Sequence, residues 1–250
     1  MSELRKIYGL WYREVLRYWR EKSRIVSSLI LPLLWLLVFG SGLRGIQVPG
    51  GQTYQTYIFP GILGMTLLFT SVFSGISIIW DREFGFLKEI LVAPVSRTSI
   101  VIGKALGSGT SALIQGTILL PLSYLVGVHL SPVSLVILLP TMVLISIGLV
   151  SVGLLIASLM TSLEGFNFIM SLVIMPMFFT SGALFPLTSA PVWLRDFSYI
   201  NPLTYGVDVL RWATFSGSST LLPIYAEFVI LILFAAAMIA ACSYTFGLRK

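Results

Sequence analysis

The sequence is nearly bare of the side chains that catalysis and metal binding require. It holds one histidine and one cysteine in 250 residues. His129 cannot form a zinc site alone, and neither H-E-x-x-H nor a His, Cys and carboxylate group at metal spacing occurs. No G-x-S-x-G nucleophile elbow is present, so His129 reads as a solvated loop residue rather than a base. Cys242 has no partner for an intrachain disulfide and reads as a small core residue. Gly103-Lys104 is followed by Ala105 and lacks the earlier glycine of a P-loop, so ATP, if used, must be bound by another chain.

Charge is scarce as well. Charged residues make up 10% of the chain against 56% hydrophobic ones, and the mean hydropathy is +0.94. Water is a poor solvent for such a surface. A bilayer core about 30 Å thick is crossed by a helix of about 20 apolar residues. Six apolar runs meet that length: 25–43, 57–80, 105–128, 132–160, 166–184 and 221–246. They lack the alternation of a membrane barrel, and backbone amides in lipid must pair within their own segment. The expected fold is an all-α integral membrane protein with six transmembrane helices, one domain over residues 1–250.

The net charge of +6 is explained by topology rather than by nucleic acid. Seven of the 16 Lys and Arg residues precede the first span. With both termini cytoplasmic, Arg82, Lys88, Arg97, Lys104, Arg249 and Lys250 also fall inside, leaving only Arg44, Arg195 and Arg211 outside. That split obeys the positive-inside rule. The basic region is too long for a signal peptide and no small-residue cleavage site follows Leu37, so the first span is expected to stay in place.

Residues 1–24 carry Leu4, Ile7, Tyr8, Trp11, Val15, Tyr18 and Trp19 within one helical arc, with Arg13, Arg17, Arg20 and Arg24 opposite. This pattern predicts an amphipathic helix on the cytoplasmic membrane surface, its arginines turned to anionic lipid or a partner. Between spans two and three, 82–97 forms a charged loop in which Phe84, Leu87, Ile90 and Leu91 recur at helical spacing until Pro94 ends the turn. Exposed apolar residues there call for a protein partner.

Gly103 and Gly107 in span three stand in small-xxx-small register, which predicts close helix packing. Lys104, one turn inside, is expected to snorkel to the headgroups. Segment 185–220, with three prolines and four charges, cannot span; its Trp193, Phe197, Tyr199, Tyr205 and Trp212 suit short interfacial or re-entrant helices, and Asp208 and Arg211 are spaced to pair. Only Lys104 and Glu227 are ionisable within the spans, both near span ends, which leaves a gradient-driven carrier little to work with. A membrane scaffold or assembly protein is the other alternative.

Three stretches together resemble the ABC-2 type transporter permeases: the basic amphipathic helix, the loop Asp81 to Leu91 with Ala93-Pro94-Val95-Ser96-Arg97, and Ser181-Gly182-Ala183-Leu184-Phe185-Pro186-Leu187 followed by Asn201-Pro202-Leu203-Thr204-Tyr205 and Asp208. The resemblance covers essentially the whole chain. It implies a non-catalytic permease subunit of a prokaryotic exporter of drugs, lipids or glycolipids, multi-pass in the cell (inner or plasma) membrane. It also implies a homodimer that docks two ABC ATP-binding subunits, with ATP and Mg held by those partners. It maps a connecting helix onto residues 4–22, with Trp11, Arg13, Arg17 and Arg20, and a coupling helix onto residues 82–92. The ATPase contacts would be Arg82, Glu83, Phe84, Leu87 and Leu91, with a second coupling point at 161–165 including Glu164. A substrate path between protomers would offer Phe69, Phe73, Met170, Met175, Phe178 and Phe179, for each of which ordinary lipid-facing or core packing is an equal reading.

Overall fold

Lipid offers the backbone no hydrogen-bond partner, so each apolar run must close its own ladder. The computed structural model describes residues 3–43, 45, 48, 51–83, 96–160, 162–215, 218 and 220–248, and these form helices joined by turns. α1 (Glu3–Arg20) is followed by α2 (Lys22–Leu34), which passes through a π-helical turn at Trp35–Phe39 into the short α3 (Gly40–Gly42). α4 (Tyr54–Phe73) and α5 (Ile76–Glu83) form the second span. α6 (Arg97–Leu119), α7 (Pro132–Leu159) and α8 (Leu163–Thr180) follow. Two short helices, α9 (Val192–Ile200) and α10 (Pro202–Thr214), precede α11 (Ile224–Leu248).

Six of these stretches are long and apolar enough to cross a membrane, as the composition requires. The third begins at Arg97, not at 105: Ser96 caps it by accepting from the Ser99 amide, and Lys104 lies inside the helix. The last begins at Ile224, after Pro223.

Hydrogen bonds between span ends give the alternating directions. Thr56 Oγ1 donates to the carbonyl of Val126, so α4 begins where the α6 span ends. Arg97 donates to the carbonyl of Phe246 at 2.7 Å, so α6 begins where α11 ends. The α1 end of the bundle therefore gathers the ends of α5, α7 and α11 with the starts of α6 and α8.

The second span is the axis of the molecule. Its apolar window is 78% buried, against 17% for the first and last spans and 22% for the fifth, so α4 and α5 are enclosed while α2, α8 and α11 form the perimeter. That perimeter exposes residues such as Ile30, Leu34, Phe168, Leu172, Val229 and Leu233. An acyl-chain solvent accepts such a surface without cost.

Packing against the axis relies on missing side chains. α4 breaks at Ser74-Gly75, where the chain crosses α7. A Cβ on Gly75 would stand 2.3 Å from the Gly153 carbonyl oxygen, and one on Gly153 only 2.2 Å from that of Val72. The two backbones touch there, so neither position has room for a methyl group.

Beyond α8, Asn201 ties the chain back to the bundle. Its Oδ1 caps α10 by accepting from the Leu203 amide at 3.0 Å, while its Nδ2 donates to the Met177 carbonyl at 2.6 Å and to Thr180 Oγ1 at 2.9 Å. α10 is then wedged between α4, α7 and α11, and Leu203 to Leu210 are all buried. α9 instead exposes Trp193, Phe197 and Ile200.

Gly153→Ala should lower the stability of the purified protein by about 1–3 kcal/mol, the usual cost of overpacking a close crossing. The control Gly9→Ala, where nothing lies within 4 Å of the added carbon, should leave the thermal midpoint in detergent unchanged or slightly raised.

Candidate functional site

α1 lies against α6, and the two run in the same direction. Ser99 Oγ donates to Glu3 at 2.7 Å, Trp11 Nε1 donates to Thr110 Oγ1 at 3.0 Å, and Tyr18 donates to Gln115. The small residues of α6 set the separation: a Cβ on Gly103 would stand 2.7 Å from Leu10 Cβ, and one on Gly107 would stand 2.5 Å from Glu14 Cβ. The small-residue register found in the sequence is a seat for α1. Leu4, Tyr8, Tyr12 and Trp19 remain exposed along the outer side of α1.

The seat carries a charge cluster into the bundle. Lys104 is fully buried, which corrects the expectation that it snorkels: α1 covers its face of α6 and partners are already in place. Its ammonium donates to Asp81 Oδ2 at 2.6 Å, Glu14 Oε1 at 3.2 Å and Ser77 Oγ at 3.3 Å. Three donors meet three acceptors. Arg13 Nη2 reaches the same two carboxylates, Glu14 at 2.9 Å and Asp81 at 3.0 Å. Arg17 lies 3.9 Å from Asp81 Oδ1, 3.4 Å from Glu21 and over the ring of Trp80.

Arg13 and Arg17 therefore turn inward, contrary to the expectation that they face lipid or a partner, because Asp81 at the end of α5 lies beside α1. Arg20 stays exposed and Trp11 is half-buried. Among the described residues, three cations (Lys104, Arg13, Arg17) meet three carboxylates (Glu14, Asp81, Glu21), a balance that a water-poor setting favours. Burial pushes the Glu14 carboxyl up, but Lys104 and Arg13 outweigh it and leave it below the ordinary 4.5. Burial pulls the Arg13 guanidinium down, and its two carboxylates more than offset this.

Next to the cluster, Arg82 donates to the carbonyl oxygens of Met160 and Ser158 at the end of α7. Those carbonyls have no partner within their own helix, and a cation suits that terminus. Glu83 is exposed beside it. Glu164 is exposed in the first turn of α8, which Ser162 caps by accepting from the Gly165 amide. Arg82 thus ties the end of α5 to the end of α7, which lies just before residues 161–165. Phe84, Leu87 and Leu91, with the rest of the expected coupling helix, lie outside the described residues, as does Thr161.

The residues proposed for a substrate path separate. Phe69 and Phe73 line a cavity of about 200 Å³ between α4 and α2, together with Tyr18, Ser27, Leu31 and Thr66. Met175 and Phe179 face outward from α8, whereas Met170 and Phe178 are buried and Phe178 packs edge-on against Trp35. At the far end of the bundle, Asp208 and Arg211 do not pair. Arg211 donates to the Gly182 carbonyl at 2.9 Å and lies over the Tyr57 ring, while Asp208 accepts from the Leu221 amide at 2.6 Å. The fold sets different partners beside each.

Glu14 and Asp81 escaped sequence reasoning as partners of Lys104. The available signal was the conjunction of a lysine inside an apolar run with acids next to two other apolar segments, since a buried cation implies a partner.

The sequence pattern of the ABC-2 type transporter family matches residues 5–215. The chain is 31% identical over 214 residues to a protein of Cyanophora paradoxa named as the transport permease ycf38, a match covering 84% of this chain and 74% of that one. It is 30% identical over 209 residues to nodulation protein J of Rhizobium meliloti (strain 1021), covering 81% of this chain and 79% of the other. A protein of Escherichia coli (strain K12) named as the multidrug ABC transporter permease YbhR is 30% identical over 161 residues, 63% of this chain and 43% of its own length.

Lys104→Met should cost about 3–5 kcal/mol, because Asp81 and Glu14 then lose a buried counter-ion. The double change with Asp81→Asn should cost less than the sum of the single changes in a thermal-unfolding cycle. The depressed Glu14 value sets the pH response: its contribution is complete above the ordinary 4.5 and is lost as pH falls through the lower folded value. Unfolding midpoints should therefore hold from neutral pH to about 4.5 and drop below it, and Glu14→Gln should flatten that drop.

Proposed function

The chain belongs to the ABC-2 type transporter family, as a membrane subunit of an ABC transporter, and from that premise we propose that it forms the export path for an amphipathic substrate and is driven by a separate ATP-binding subunit. Drugs, lipids and glycolipids are the substrate classes proposed. Two copies of the chain associate in the membrane, each with one ATPase docked at the α1 end. That end is cytoplasmic, in the cell membrane, and ATP and Mg belong to the partner.

The observation that carries this reading is the charge cluster. A partner pushing on the segment after Glu83 acts on the end of α5, and Asp81 passes that displacement directly to Arg13 of α1 and Lys104 of α6. Arg82 passes it to the end of α7. A short connection with buried ion pairs on both sides transmits force instead of absorbing it, since packed elements shift as units. The cavity beside Phe69 and Phe73 lies between α2 and α4, the second of which continues into α5. Movement of α5 would therefore reshape a mixed polar and apolar groove suited to an amphipathic molecule. α9, with its exposed Trp193 and Phe197, is assigned to the outer interface and α10 to a re-entrant position.

The test is affinity purification of the tagged chain from detergent-solubilised native membranes, with mass spectrometry of companions and an ATPase assay. A nucleotide-binding subunit should co-purify with vanadate-sensitive activity. Glu83→Ala with Leu87→Ala should cut its recovery at least about fivefold, as loss of central interface contacts does, while insertion is unchanged. Recovery of the chain alone in mild detergents, or undiminished docking by the double variant, would refute the assignment.

A further inference from the structure

The connection from α10 to α11 is held by two acids that lie side by side. Glu227, one turn inside the last span, is fully buried, and Asp208 on α10 is buried as well. Their carboxyl groups are in hydrogen-bonding contact. Each also takes one of two consecutive backbone amides: Leu221 donates to Asp208 Oδ2 at 2.6 Å, and Leu222 donates to Glu227 Oε1 at 3.2 Å. The second Glu227 oxygen, Oε2, is buried and receives no hydrogen from any donor among the described residues.

The charged and titratable groups around the two acids do not supply what is missing. On α10, Arg211 is directed to the Gly182 carbonyl and the Tyr57 ring, and the Tyr205 hydroxyl is spent on the Tyr199 carbonyl. On α4, the Tyr54 hydroxyl donates to the Leu184 carbonyl, and Tyr57 lies beneath Arg211. Neither Arg211 nor Arg195 and Asp196 of α9 forms an ion pair or hydrogen bond with either acid among the described residues. α7, packed along α11, carries no titratable side chain, and the charges of α6 and α8 (Arg97, Lys104 and Glu164) are at the other end of the bundle.

Two carboxylates in contact offer acceptors only, so nothing joins them unless one carries a hydrogen. With both ionised, two like charges would be held together out of water. One proton supplies the missing donor, and with Arg211 one turn along α10 it also makes the set neutral. We infer that Asp208 and Glu227 bind one proton between them, and that this shared proton latches the connection between α10 and α11. With the proton bound, the pair holds both amides and ties the two helices together. When it leaves, the carboxylates repel and the segment bearing Leu221 and Leu222 is released. The latch is therefore closed at low pH and opens as pH rises. The pH on that side of the membrane sets how firmly the last span is joined to α10.

The experiment uses the full chain in phosphatidylcholine nanodiscs. Infrared spectra across a pH series read the C=O stretch of a protonated carboxyl. Hydrogen exchange of the peptide containing Leu221 and Leu222, normalised to the intrinsic rate at each pH, reads the latch. A protonated-carboxyl band is expected at neutral pH, lost on alkaline titration and absent from both Glu227→Gln and Asp208→Asn. Over the same titration, protection of the wild-type peptide should fall at least about tenfold, since a like-charge contact at close range is worth no less. The side-chain amide of either variant is a permanent donor, so protection there should hold across the series. Absence of the band at neutral pH, the result for a carboxylate satisfied by water or sodium, overturns the proposal. So does survival of the band in the variants, or exchange in them that follows the wild-type pH course. Should one variant fail to fold by size exclusion, the other decides, and the wild-type titration needs neither. No nucleotide or partner subunit enters the measurement, so the result stands apart from the fate of the permease assignment.

Discussion

An ammonium group with no route to water has to be neutralised where it stands, and the arrangement of the α1 end follows from that requirement at Lys104. The group sits inside α6 with no exposed surface. Taking one ion out of water costs several kcal/mol, a cost offset only by close carboxylates with their remaining hydrogen bonds satisfied. Asp81 and Glu14 meet that condition, but they come from α5 and α1. α1 must therefore be seated, and α5 must reach full length, before the lysine is stable. Gly103 and Gly107 let α1 come close enough, and Arg13 neutralises the second acid. Charge, backbone separation and helix length are thus three parts of one constraint.

A buried ion pair is weak evidence for stability, because an apolar replacement of the same shape is often as stable or more so. Its consequence here is mechanical. Ion pairs fix the register of the three helices more sharply than apolar packing alone would, and they do so at the point where the chain leaves α5. The same logic appears at Arg82, whose contacts with the terminal carbonyls of α7 fix a second register. Rigidity is thus concentrated at the α1 end, while the rest of the bundle packs through lipid-like apolar contacts.

The six spans were legible because helix formation in lipid depends on composition over about 20 residues, a local property. Gly103 and Gly107 announced a close neighbour for the same reason. Lys104 was misread because snorkelling is the default for a lysine one turn inside a span, and only a covering helix cancels it. Arg13 and Arg17 were misread because an amphipathic arc identifies two faces without identifying what each one meets. The spacing of Asp208 and Arg211 suggested a pair, yet each found a nearer partner in Leu221, Gly182 or Tyr57. These outcomes depend on contacts between residues from 13 to 154 positions apart.

By itself, then, the amino-acid order determined that the chain enters a membrane and how many times it can cross, because hydrophobic length is a property of the chain alone. Tertiary structure decided which charges neutralise one another, which aromatic residues border a cavity and which polar atoms are left without partners. Those depend on the distances at which separate helices are brought together, and at a few ångströms the energy of a charge or a hydrogen bond changes from negligible to dominant.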